Sequence, residues 1–160
     1  LIAALIFSVG SLLENNSQQG SQKLISFPRE EITSINIDNG ELSQSLKVEN
    51  SEWFVDGQKA DQDRVSALVT SLIEGETIQT TSTNQDNYEL FEVQDSLNRT
   101  IAIYRGETKV VTIIIGKSSG VQSTYIRVEG DPNVYLYNRS LGYLVDLANS
   151  NYIETEDVED

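Results

Sequence analysis

The stretch "KVVTIIIG", Lys109 to Gly116, constrains this chain more than any other. Val110 to Ile115 is a near-continuous Val/Ile run, and such a run reads as a central strand covered on both faces, not as one alternating between core and water. Covering layers must therefore come from elsewhere in the sequence. One is plain: Val65, Leu68, Val69, Leu72 and Ile73 fall at i, i+3, i+4, i+7 and i+8, a single apolar face of an α-helix. Asp61 before it is a natural N-cap and Gly75 after it a natural stop, so the helix is predicted from about Gln62 to Glu74. Trp53, on the strand just before, is expected to pack with Leu68 and Leu72.

The remaining segments read as hairpins. "ITSINID", Ile32 to Asp38, alternates in polarity and turns through "NGEL" into "SQSLKV"; "EWFV" adds a third short strand closed by an Asp56-Gly57 turn. A strand near "ETIQTT" leads to the polar "STNQDNYELF", a loop or a single helical turn. "RTIAIY" and "KVVTIIIG" pair through Gly106, and "TYIRV" pairs with "VYLY" across "EGDPN". Leu141, Leu144, Val145 and Ala148 predict a last helix capped by Asn138 or Ser140. "KVENSEWFV" before the first helix echoes "RVEGDPNVYLY" before the last, which either a duplicated hairpin-plus-helix unit or chance explains. The expected fold is α+β: antiparallel β-hairpins forming one or two sheets, covered by two α-helices.

Organisation along the chain follows from composition. "LIAALIFSVGSLL", residues 1–13, carries no charge and is short for a membrane span, which needs about 20 residues. It reads as a truncated transmembrane anchor or as the apolar part of a secretory signal. Residues 14–26 read as a polar linker, 27–150 as a single α+β domain, and 151–160 as an acidic tail. The domain is accordingly expected at the cell membrane, on its extracytoplasmic side.

Charge and residue types narrow the function. Eleven Lys and Arg stand against 25 Asp and Glu, a formal charge of -14, which repels nucleic acid and anionic lipid headgroups. Histidine and cysteine are absent, removing thiolate chemistry, the usual zinc ligands and the one side chain that titrates unperturbed near neutrality. "GKS" at Gly116 to Ser118 has Val111 where a phosphate-binding loop needs glycine, and Asp56, Asp61 and Asp63 miss the calcium-loop spacing. No metal, cofactor or catalytic residue is expected. A hydrolase using carboxylates alone is the alternative. The aromatic residues give the remaining lead. With Val134 and Leu136 facing a core, Tyr135 and Tyr137 would face the other side, with Tyr125 and Arg127 opposite them. These four form either a partner-binding surface or a cross-strand ladder beneath a helix.

Trp53, Ala60-Asp61, Leu68 and Leu72, Tyr88 and Leu90, Gly116-Lys117, Tyr125 and Arg127, and Val134-Tyr135 occur in an order that resembles the bacterial family known as domain of unknown function 4340, over about Phe27 to Leu147. The chain departs from that pattern after Tyr88, reading Glu89-Leu90-Phe91-Glu92-Val93 in place of Gly-Leu and a following proline. The resemblance implies a membrane-anchored domain that binds or scaffolds, an auxiliary part of ABC-type transport or gliding-motility complexes. It implies a protein partner in a membrane complex and no catalytic residues.

Overall fold

The computed structural model describes residues 21–148 and 152–154. The expected anchor, residues 14–20 of the linker and the tail beyond residue 154 lie outside the described residues. Among the described residues no helix is long and apolar enough to cross a membrane.

Strands β1 (Gln22–Lys23), β2 (Ser34–Asn39), β3 (Ser43–Glu49), β4 (Glu52–Val55), β5 (Gln58–Lys59), β6 (Glu76–Ser82), β7 (Arg99–Arg105), β8 (Thr108–Ser118), β9 (Thr124–Val128) and β10 (Val134–Tyr137) form one sheet. Its order is β1-β6-β10-β9-β8-β7-β2-β3-β4-β5 and every pairing is antiparallel. The turns are local. Asn50 and Ser51, then Asp56 and Gly57, all take positive φ, the conformation that suits two-residue turns between twisted strands.

Helix α1 (Gln62–Glu74) lies where its periodicity puts it. Asp61 accepts from the backbone of Asp63 and Arg64, at 3.1 and 3.0 Å, supplying two of the donors a helix start leaves open. Gln62 ties this end to β4: its amide nitrogen donates to the carbonyls of Trp53 (2.9 Å) and Ala60 (2.7 Å), and its oxygen accepts from the Trp53 N–H at 3.1 Å. Trp53 is partly buried and packs against the cluster that holds Leu68 and Leu72. The other end is tied to β10, where the Tyr137 hydroxyl donates to the carbonyls of Ser71 (3.0 Å) and Leu72 (3.2 Å).

Those two attachments dictate curvature. Six inter-strand steps separate β4 from β10, about 29 Å in a flat sheet. The ten residue steps along the helix from Gln62 to Leu72 rise only about 15 Å. The sheet therefore curls around α1, and its concave side holds the core: Ile35, Leu46, Val55, Ile103, Ile113, Ile126 and Tyr137 are all 0 % exposed, as are Val65, Leu68 and Leu72 on the helix. Each such aliphatic side chain contributes about 1.5–3 kcal/mol by leaving water. β8 sits centrally in the order, and Ile114, turned away from α1, joins Val93 and Val134 in a second cluster. That accounts for the near-continuous apolar run.

The α+β expectation is corrected by this sheet. The fold is β-rich, one ten-stranded antiparallel sheet, and of the two covering helices only α1 forms; α2 (Tyr88–Phe91) is a single turn. The helix expected over Leu141 to Ala148 is a 3-10 turn, Gly142–Leu144. Of its expected apolar face Leu141, Leu144 and Val145 are buried, whereas Ala148 is exposed and Leu147 is buried in its place. The expected caps are engaged elsewhere or absent, however: the Asn138 side chain accepts from the Glu76 N–H at 2.8 Å, and the Leu141 N–H is taken by the Thr124 hydroxyl at 2.9 Å. Gly142 weakens the segment further. The duplicated hairpin-plus-helix unit falls with that helix. The folded region also reaches past 27–150. β1 and buried Ile25 precede it, and Tyr152 follows, 1 % exposed, its carbonyl accepting from the Asp61 N–H at 2.8 Å.

Candidate functional site

The convex face of the sheet is crossed by residues 83–98, a strap joining β6 to β7. Asn84 starts it by accepting from the Asp86 N–H at 3.0 Å. α2 then ends where Glu92 turns left-handed, φ 56°, letting the Val93 N–H reach back to the Tyr88 carbonyl at 2.9 Å. Val93 thereby points into the sheet and is fully buried with Ile114 and Val134, flanked by Tyr88, Phe91 and Tyr125. Gly116 makes the crossing possible: a Cβ there would run into the Phe91 carbonyl and the Val93 side chain. "GKS" is thus a site of close backbone approach.

Arg127 pins the strap. Its Nε donates to the Val93 carbonyl at 3.3 Å, one terminal nitrogen pairs with Asp95, and its guanidinium lies 4.6 Å over the Tyr88 ring. Tyr125 stacks at a tilt on Phe91, centroids 4.8 Å apart, and its hydroxyl meets Ser119 at 3.3 Å.

The four residues expected as a partner surface therefore occupy other places. Arg127 and Tyr135 are each 7 % exposed, Tyr137 is fully buried, and Tyr125 is half-buried. Nor do they share a face. Arg127 stands opposite Val134 and Tyr125 opposite Leu136, under the strap, whereas Tyr135 pairs with Ile126 and Tyr137 with Thr124 on the α1 side. The expected pairing is off by one residue, and a one-residue slip moves every side chain to the other face. Tyr135 bonds Asp131 at 2.7 Å and Asn133 at 3.2 Å, and burial pushes its phenol up to about 12.

Two concavities flank the strap instead. A cleft of about 250 Å³ lies over β7 and β8, lined by Asp95, Asn98, Thr100, Thr112, Ile114 and Glu129. Its two carboxylates are committed. Asp95 pairs with Arg127, and Glu129 takes a 2.6 Å bond from Lys109 that holds its carboxyl below the usual range. An acid catalyst needs a carboxyl raised toward neutrality, so Glu129 is shifted the wrong way. Among the described residues no three carboxylates gather as a metal-ligand set.

The larger concavity, about 480 Å³, is an open groove between the β2–β3 turn (Asn39, Gly40, Glu41) on one side and the strap (Glu89, Glu92, Leu97) with the first residue of β7, Arg99, on the other. The turn is built by Asn39, whose side chain accepts from the Glu41 and Leu42 N–H groups at 3.0 and 2.8 Å, and Gly40 rests against the Leu97 carbonyl. Arg99 bonds Glu92 at 2.9 Å. Glu41 and Glu89 form no ion pair among the described residues. Leu42, Leu90 and Leu97, on the same turn and strap, are 50, 60 and 37 % exposed. Sequence reasoning left this groove unread because its walls are 50 residues apart in the chain; the acid-flanked leucine of "YELFE" was its one local signal.

A model of the family described as Domain of unknown function (DUF4340) matches residues 53–157. The strap lies inside that range and the β2–β3 turn outside it. No curated protein and no solved structure matches the chain.

Proposed function

The chain belongs to the DUF4340 family of domains of unknown function, and from that premise we propose a non-catalytic binding domain that docks a protein partner through the groove between the β2–β3 turn and the strap. The observation that carries this reading is one concavity lined by exposed Leu97 and by two carboxylates, Glu41 and Glu89, that form no ion pair among the described residues, each followed in the chain by an exposed leucine, Leu42 and Leu90. Exposed apolar side chains grouped in this way favour a contact surface. The uncharged run of residues 1–13 supports a tether at a membrane, with the domain on its extracytoplasmic side. Tethering raises the effective concentration of a neighbouring membrane protein, so a modest interface is occupied. A membrane assembly of the transport or motility kind is the setting this reading favours.

The test is co-purification from native membranes of the anchored protein carrying Glu41→Arg and Glu89→Arg. We expect partner recovery to fall while the circular dichroism spectrum and melting temperature stay unchanged. Unchanged recovery from a folded variant would remove the groove from the account.

A further inference from the structure

We propose that the groove's occupant is a partner segment that places a lysine or arginine beside an aliphatic side chain. This rests on the docking reading above and specifies its chemistry. Within the groove Arg99 is already matched by Glu92, and the two remaining carboxylates of its lining, Glu41 on the turn and Glu89 on α2, form no ion pair among the described residues. Their field is additive, and the chain's charge of -14 reinforces it. Leu97 in the lining offers apolar surface, and exposed Leu42 and Leu90 follow Glu41 and Glu89 directly in the chain. A cationic head with an aliphatic stem satisfies both, since lysine and arginine lay their methylenes on apolar surface and extend their charge toward carboxylates.

Two further atoms mark the same wall. Gln94 and Arg99 belong to the lining, and the Gln94 side-chain oxygen and the Arg99 Nε lie beneath its surface, shielded from solvent and without a hydrogen-bond partner among the described residues. Buried polar atoms left in this way are uncommon in folded proteins and call for an explanation. A peptide backbone carries both complements, an N–H for the oxygen and a carbonyl for the nitrogen. Charge also excludes other occupants. A second copy would bring another 14 negative charges, and nucleic acid or anionic lipid would be repelled similarly.

The experiment titrates the full chain in neutral detergent with a synthetic lysine–leucine peptide, with lysine–serine and glutamate–leucine peptides as comparisons. The lysine–leucine peptide is expected to bind, to move the amide signals of Gly40 and Leu97, and to lose about tenfold in affinity on Glu41→Lys with Glu89→Lys. Glu49→Lys with Glu107→Lys, at the far ends of β3 and of the β7–β8 hairpin, is expected to change affinity little. Equal loss from both pairs would overturn the proposal by reducing it to diffuse charge attraction, as would equal binding of the lysine–serine peptide. A silent titration combined with lost co-purification in the groove variants would overturn the cationic occupant and leave the docking reading standing.

Discussion

Gly75 sits after α1 where a left-handed glycine is usual, yet its φ is -72°, a value open to any residue. The requirement is steric: a Cβ at residue 75 would collide with the Tyr137 phenol that bonds the helix end. Gly75→Ala should therefore cost about 1–3 kcal/mol in urea unfolding. With Tyr137→Leu already present the added cost should shrink, since the hydroxyl and the ring carbon that carries it are the two nearest obstacles; full additivity would contradict this reading. Tyr137 also belongs to a group of phenols, with Tyr135 and Tyr152, whose ionisation burial pushes upward. A raised folded-state value favours the neutral form. The stability these phenols contribute is complete below their unfolded value near 10 and is lost as pH rises from there through about 12, the value for Tyr135. The urea midpoint should accordingly fall between about pH 10 and pH 12, and a flat profile would mean the phenols are not sealed.

Among the elements, α1 was legible from end to end because its apolar spacing, its Asp61 cap and its tertiary role agree. Asp61→Ala should cost about 1 kcal/mol. The segment around Leu144 carried similar spacing without that agreement, and its polar flanks are drawn to Glu76 and Thr124 instead. β10 misled for another reason. Both of its faces are covered, Val134 by the strap and Tyr135 and Tyr137 on the α1 side, so alternation could not say which side is out. The strap itself was visible only as a polar loop, because its anchor, Arg127, lies 34 residues from the carbonyl it holds. Arg127→Ala should remove about 2 kcal/mol of local stability. Amide exchange in residues 84–98 should then accelerate about thirtyfold, while β2 and β7 stay protected. Acceleration spread evenly over the sheet would show that the strap is not a separate unit.

At the scale of the molecule, one short helix sets the radius of a ten-stranded sheet, and the chain's two sides then differ in character. The concave side is filled by the core. The convex side is polar over β2 and β3 and is interrupted by a pinned strap, whose meeting with the β2–β3 turn leaves leucines and carboxylates open to a partner. The formal charge of -14 sets a repulsion between like copies and an attraction for cations. The most direct test places a photo-crosslinking amino acid at Leu97 in the anchored protein and irradiates native membranes, with Glu107 substituted likewise as the control. The account predicts one discrete protein adduct from position 97, absent from position 107 and reduced by Glu41→Arg with Glu89→Arg; no adduct at 97, or the same adduct from both positions, would contradict it.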